Sequence, residues 1–266
     1  MPHLITTSGI NWHYEVSGQG EPLVFIHGFG GSLRWWDNQV ASFEKDFHVL
    51  RLDLPGHGES SWKPSTLLSM ARDIKQILED QHMMRVNLVA SSFGGLIALE
   101  LFRLMHEDVS RISFVGSLPK FARSASYPAG LDIDKIRKLN SQFDRDYVVV
   151  LDMFFRSLFT LKERESKAFE KVKEIRQSEK VPHEEALKSF LDILEKTDSR
   201  DRLSATVCPV QFITGTEDYI CPKEAMEWVQ EHMLNARLDF IEGCGHLPFL
   251  TEVEQYNDLL ENFLIN

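Results

Sequence analysis

Polar and apolar residues alternate along residues 4–16 around Ser8-Gly9, which predicts a β-hairpin. Short apolar runs follow at residues 23–26, 49–52, 86–90, 112–115, 210–214 and 238–241, each bounded by turn residues. Runs without a polar side suit strands of a parallel sheet, buried on both faces. Helical periodicity separates them at 67–81, 95–105, 225–233 and 252–263. Strand–helix alternation predicts an α/β fold: a mostly parallel twisted sheet flanked by helices, joined by right-handed crossovers. Between residues 119 and 200 the strand-like runs stop and helix-like sequence takes over, strongly charged at 162–180. The expected organisation is therefore a core of residues 1–118 and 201–266, with a helical cap of 119–200 over the carboxyl edge of the sheet. In open α/β sheets ligands bind at that edge.

At 266 residues the chain is long enough to bury a core that needs neither disulfide nor metal for stability. Its three cysteines, Cys208, Cys221 and Cys244, are odd in number and lack CxxC spacing, so reduced thiols are expected. Met1-Pro2-His3-Leu4 carries no basic region followed by an apolar stretch, so a signal peptide is not expected. No run approaches the roughly 18 apolar residues of a membrane span. A cytoplasmic monomer is the expectation. The net charge of −11 disfavours nucleic acid or an anionic membrane as partner. That charge is uneven: residues 119–200 hold 17 Lys/Arg against 15 Asp/Glu, leaving 12 against 25 elsewhere. An acidic partner would meet the cap more favourably than the rest of the surface.

The sharpest chemical signal is Leu88-Val89-Ala90-Ser91-Ser92-Phe93-Gly94-Gly95, an apolar strand running into a tight turn and a helix. Such a turn lifts a serine out of the sheet edge and requires small residues two before and two after it. Around Ser92 these are Ala90 and Gly94; around Ser91 they would be Val89 and Phe93, which are too large. Ser92 is the candidate nucleophile, with alanine where the common G-x-S-x-G pattern has its first glycine.

A serine hydroxyl needs a base to take its proton, and the base needs an acid to orient it. On a strand–turn–helix elbow of this kind the partners follow in the order acid, then histidine. Asp218 follows the run 210–214, with Glu217 its rival, and His246 follows 238–241. The developing oxyanion needs preset N–H donors. The expected donors are the backbones of Phe93 and of Phe29, the latter in His27-Gly28-Phe29-Gly30-Gly31. That glycine-rich loop lacks the Lys-Ser/Thr of a phosphate loop. His27, His57, Cys221 and Cys244 read as structural. The histidines do not cluster at metal-ligand spacing, so neither metal nor cofactor is expected.

His27-Gly28-Phe29-Gly30, Asp53-Leu54-Pro55-Gly56-His57-Gly58-Glu59-Ser60, the Ser92 turn, Gly215-x-x-Asp218-x-x-x-Pro222 and Gly245-His246 resemble the α/β-hydrolase superfamily over nearly the whole chain. The segments Gly116-Ser117-Leu118-Pro119-Lys120-Phe121-Ala122-Arg123, Tyr127-Pro128-Ala129-Gly130 and Leu191-x-x-Leu194-x-Lys196-x-Asp198-x-Arg200 resemble, within it, the esterases of biotin synthesis that demethylate pimeloyl-[acyl-carrier protein] methyl ester. The resemblance implies a serine carboxylester hydrolase working through an acyl-enzyme. It implies an acyl site lined by Phe29, Phe93, Phe154, Phe155, Arg156, Ser157 and Leu158. It also implies an acyl carrier protein docking on the cap through Arg123, Arg156, Lys167 and Lys171. Two cap arginines of that family fall at Val149 and Met153 here. A general short-chain carboxylesterase, a menaquinone-pathway-type lyase on the same triad, and a non-enzymatic ligand binder are the alternatives. The three-residue set and both donor loops speak against the last.

Overall fold

A computed structural model describes residues 2–233 and 235–266. Eight strands, β1 (His3–Ile5), β2 (Asn11–Ser17), β3 (Glu21–Ile26), β4 (Phe47–Leu52), β5 (Val86–Ser91), β6 (Val109–Val115), β7 (Val210–Gly215) and β8 (Ala236–Ile241), form one sheet. Its order is β1-β2-β4-β3-β5-β6-β7-β8. β2 is antiparallel to β1 and β4, and every other pairing is parallel. Every predicted run forms a strand, and residues 4–16 form the expected hairpin. β5 and β7 are buried at every position, as their apolar runs require, whereas β8 has a single neighbour and stays half-exposed.

The helices of the first half are α1 (Asp37–Phe43), α2 (Leu67–Asp80) and α3 (Phe93–Met105). The stretch between β6 and β7 holds α4 (Ile133–Ser157), α5 (Leu161–Arg164), α6 (Lys167–Ser178), α7 (Glu184–Lys196) and α8 (Arg200–Ser204). The chain ends with α9 (Lys223–His232), α10 (Pro248–Thr251) and α11 (Val253–Ile265). In α2 the period is explicit: Leu67, Met70, Ala71, Ile74, Ile77 and Leu78 are buried, and Thr66 and Ser69 form a capping box. Helix α8 straddles the expected cap boundary at residue 200. Helix α4 is two helices joined at Asp146, whose backbone is non-helical (φ −155°, ψ 86°). The Asp146 carboxylate accepts from Val149 N at 3.2 Å and so caps the second half. No described helix is long and apolar enough to cross a membrane.

β3 pairs with both β4 and β5, and the winding direction reverses there. Right-handed crossovers then place α1 on the face opposite α2 and α3. α1 packs with α11, and α2 with α3. A reversal of this kind opens a crevice outside the carboxyl ends of the two strands. The loop after β3 and the turn after β5 border it.

Candidate active site

Ser92 follows β5 and caps α3 with φ 51° and ψ −117°, a strained conformation that costs on the order of 1–3 kcal/mol. The surroundings impose it. Ser92 N donates to Val115 O at 2.9 Å, and Ser117 Oγ donates to Ser92 O at 2.8 Å. Small neighbours allow it. A Cβ on Gly94 would lie 2.7 Å from His27 O, and one on Gly28 would lie 2.9 Å from Ser92 Cβ. Ser91 stays in the strand, fully buried, its hydroxyl without a partner among the described residues.

Asp218 and His246 meet in the loops after β7 and β8, with His246 Nδ1 2.8 Å from Asp218 Oδ2. Ile220 N and Cys221 N donate to the other oxygen of Asp218 at 2.8 and 3.0 Å. The carboxylate is thus held by backbone donors independently of the ring. The rival Glu217 is exposed. Both Asp218 and His246 are buried, while His246 Nε2 makes no hydrogen bond to another described residue and borders the same small cavity as Ser92. Catalytic hydrogen bonds of ligand-free sites are often long and tighten only around substrate. The Cys221 sulfur lies within 4.8 Å of ligand atoms of both residues. Burial, then the Asp218 charge, push its thiol pKa well above normal. A protonated thiol beside a carboxylate already accepting several hydrogen bonds is a poor metal site.

The backbone N–H of Phe93 opens α3 and has no carbonyl to bond, as at any helix start. The N–H of Phe29 is likewise unbonded among the described residues. His27 and His57 hold the Phe29 loop. His27 bridges Gly28 O (2.8 Å) and Leu54 N (2.9 Å), and His57 bridges Pro55 O (3.1 Å) and Gly30 N (3.2 Å). In each ring one nitrogen donates and the other accepts, which is the neutral form. Burial lowers the pKa of both, that of His57 to about 3.

Ser92 opens on two cavities. The larger, about 540 Å³, runs along α4 between Phe29, Phe121, Leu139, Phe154, Leu194 and Ile220. Lys135, Lys138 and Arg145 also line it, and none of them is in an ion pair among the described residues. The smaller, about 10 Å³, lies between Gly28, Trp35, Leu158, His246 and Leu247. Tyr219 joins the wall of the larger cavity to α4, its hydroxyl 2.8 Å from Ser157 Oγ.

Of the side chains expected around an acyl chain, Phe29, Phe154, Ser157 and Leu158 border these cavities, while Phe93, Phe155 and Arg156 do not. The Phe93 ring stacks on Phe190 at 4.2 Å. Positions 154 and 157 share one side of α4, whereas 155 and 156 are turned about 100° and 200° away from 154. Phe155 is accordingly buried against Trp35, Phe159 and Phe169, and Arg156 is exposed. Arg123, Lys167 and Lys171 are also exposed and line neither cavity. Sequence reasoning missed Leu139, Leu194 and Tyr219. The apolar period of α4 and α7 was the available signal for the first two.

Residues 21–253 match the family described as alpha/beta hydrolase fold, and the chain belongs to that family. Family and fold make it an enzyme, a hydrolase. It is similar to the pimeloyl-[acyl-carrier protein] methyl ester esterase of Nitrosomonas europaea, 30% identical over 244 residues that span 92% of this chain and 96% of that one. It is also similar to the protein of the same name from Pseudoalteromonas atlantica, 26% identical over 93% of this chain and 96% of that one. Among solved structures, an esterase from Exiguobacterium antarcticum matches with a TM-score of 0.89 at 23% identity, over 99% of each chain.

Proposed function

We propose that the chain is a serine carboxylester hydrolase acting through an acyl-enzyme, with Ser92 as nucleophile, His246 as base and Asp218 as orienting acid. Ser92 Oγ attacks the ester carbonyl as His246 Nε2 takes its proton, and the N–H groups of Phe29 and Phe93 receive the oxyanion. His246 then protonates the departing alkoxide, and water repeats the sequence to free the acid. The observation that carries this reading is the Asp218–His246 bond beside the strained Ser92, with two unused N–H groups next to it.

The substrate proposed is pimeloyl-[acyl-carrier protein] methyl ester, the compound in the names of the relatives. Two features support it. A cavity of about 10 Å³ beside Ser92 and His246 holds about one water-sized group, which suits methanol as the leaving alcohol. The long apolar cavity suits an acyl chain and its carrier arm, with Lys135, Lys138 and Arg145 where that arm would emerge. The cap, residues 119–200, would receive the acidic carrier protein. Arg123, Arg156, Lys167 and Lys171 remain candidates for its outer contacts. We place the enzyme in the cytoplasm as a monomer.

Ser92→Ala should lower p-nitrophenyl butyrate hydrolysis by at least about 10⁴-fold. An unchanged rate would exclude the serine reading. Expression in a biotin-requiring strain that lacks its own esterase should restore growth. No growth despite active soluble protein would leave a short-chain carboxylesterase and exclude the carrier-bound substrate.

A further inference from the structure

Glu163 lies in the most charged part of the cap, yet it is only 3% exposed. It sits at the third position of α5 and forms a capping box with Thr160: Glu163 Oε2 accepts from Thr160 N at 2.7 Å, and Thr160 Oγ1 accepts from Glu163 N at 3.2 Å. A helix cap needs nothing more. The same carboxylate also reaches the loop that carries His246. Its Oε2 accepts from Gly245 N at 3.0 Å, and its Oε1 accepts from Cys244 Sγ at 2.8 Å and Thr251 Oγ1 at 2.6 Å. A carboxylate offers about four acceptor positions, and donors occupy all of them. Glu163 forms no ion pair among the described residues.

The neighbouring backbone tightens the grip. His246 N donates to Leu158 O at 2.8 Å. A Cβ on Gly245 would lie 2.5 Å from Leu158 O and 3.0 Å from Glu163 Oε2, so the loop passes with no space to spare. Asp218 holds the far side of the imidazole through Nδ1. We infer that Glu163 is a positioning residue for the base. Through Gly245 it fixes where His246 Nε2 stands relative to Ser92, as Asp218 fixes the rotation of the ring. This rests on His246 acting as the base for Ser92. Leu158 and Glu163 of the cap then act on the loop of the base rather than forming part of a cover laid over it.

Glu163→Ala should lower kcat for p-nitrophenyl butyrate on the order of 10²-fold, the usual loss for displacement by about 1 Å, with KM within about twofold. The acidic limb of kcat/KM against pH should move with it. Glu163→Gln keeps a carbonyl for Gly245 and Thr160. Its amide faces a hydroxyl and a sulfur that can turn to accept, so it should recover at least about tenfold of the loss. Thr160→Ala removes the cap alone and should leave kcat unchanged. A folded Glu163→Ala at wild-type kcat, a Glu163→Gln as impaired as the alanine variant, or a Thr160→Ala with the same kcat loss would each overturn the assignment. If Glu163→Ala does not fold by circular dichroism, Gly245→Ala replaces it: its kcat should fall with KM kept, and a wild-type kcat overturns the assignment. Activity surviving Ser92→Ala would remove the hydrolase reading itself. An inactive Ser92→Ala beside a fully active Glu163→Ala removes only the role of Glu163.

Discussion

The insertion between β6 and β7 contains two unlike regions. Residues 155–169 are built into the core: Phe155 packs on Trp35 at 5.7 Å, Phe155, Phe159 and Phe169 pack on one another at centroid separations of 4.9 to 6.5 Å, and Glu163 binds the His246 loop. The first half of α4 and its neighbour α7 instead roof the large cavity. They are joined on their outer side by ion pairs such as Arg137–Glu195 and Lys188–Asp144, at 2.8 and 2.6 Å. Buried aromatic contacts contribute about 0.5–1.5 kcal/mol each beyond the area they cover, whereas exposed ion pairs contribute little and are screened by salt. Under the proposed function, the first region is bound to the base. The second shapes what the base acts on, and substitutions there should alter specificity without disturbing it.

Several substitutions would break or sharpen that contrast. Asp218→Asn, on the chemical side, should lower kcat by about 10⁴-fold through the wrong His246 tautomer; steady-state kinetics would show it. Phe155→Ala should cost about 3–5 kcal/mol in guanidinium unfolding, and a loss below 1 kcal/mol would mean that region is not built in. Acid should strike the core beneath both regions, at the loop His57 holds. Burial lowers the His57 pKa from 6.5 to about 3, so the unfolded chain binds a proton that the folded one refuses. The contribution of His57 is whole above pH 6.5 and is lost as pH falls toward 3, by up to about 1.4 kcal/mol per pH unit. His57→Gln should flatten the fall in denaturation midpoint between pH 7.5 and 5.5.

On the roof side, Leu194→Trp should raise KM for long acyl esters about tenfold by filling the cavity. Acetate esters should be hydrolysed as before. Lys188→Ala, the mildest change, should leave kcat unchanged and Tm within about 2 °C.

The same contrast explains what could be read in advance. Strands such as β5 are legible because burial on both faces leaves a continuous apolar run, and the Ser92 turn because sterics restrict Ala90 and Gly94. The turn Leu33–Trp36 and helix α1 (Asp37–Phe43) went unread. α1 buries only Gln39 and Phe43 and shows no period. Phe155 and Arg156 adjoin Phe154 in the sequence, although helix geometry turns them elsewhere. Glu163 stands in a run of charge that reads as a solvated surface, and its partners Gly245 and Thr251 lie more than eighty residues away. Lys135, Lys138 and Arg145 meet the cavity only because α4 and α7 fold over it.

The cysteines carry a practical consequence of this arrangement. Burial raises the pKa of Cys208 to about 11; burial, then the Asp218 charge, raise that of Cys221; burial, then the Glu163 hydrogen bond, raise that of Cys244. Alkylating reagents attack the thiolate, so Cys221 and Cys244 offer them almost nothing while their loops stay closed. The rate at which iodoacetamide labels those two sulfurs is therefore a clock. It counts how often the aspartate and histidine loops part from their supports.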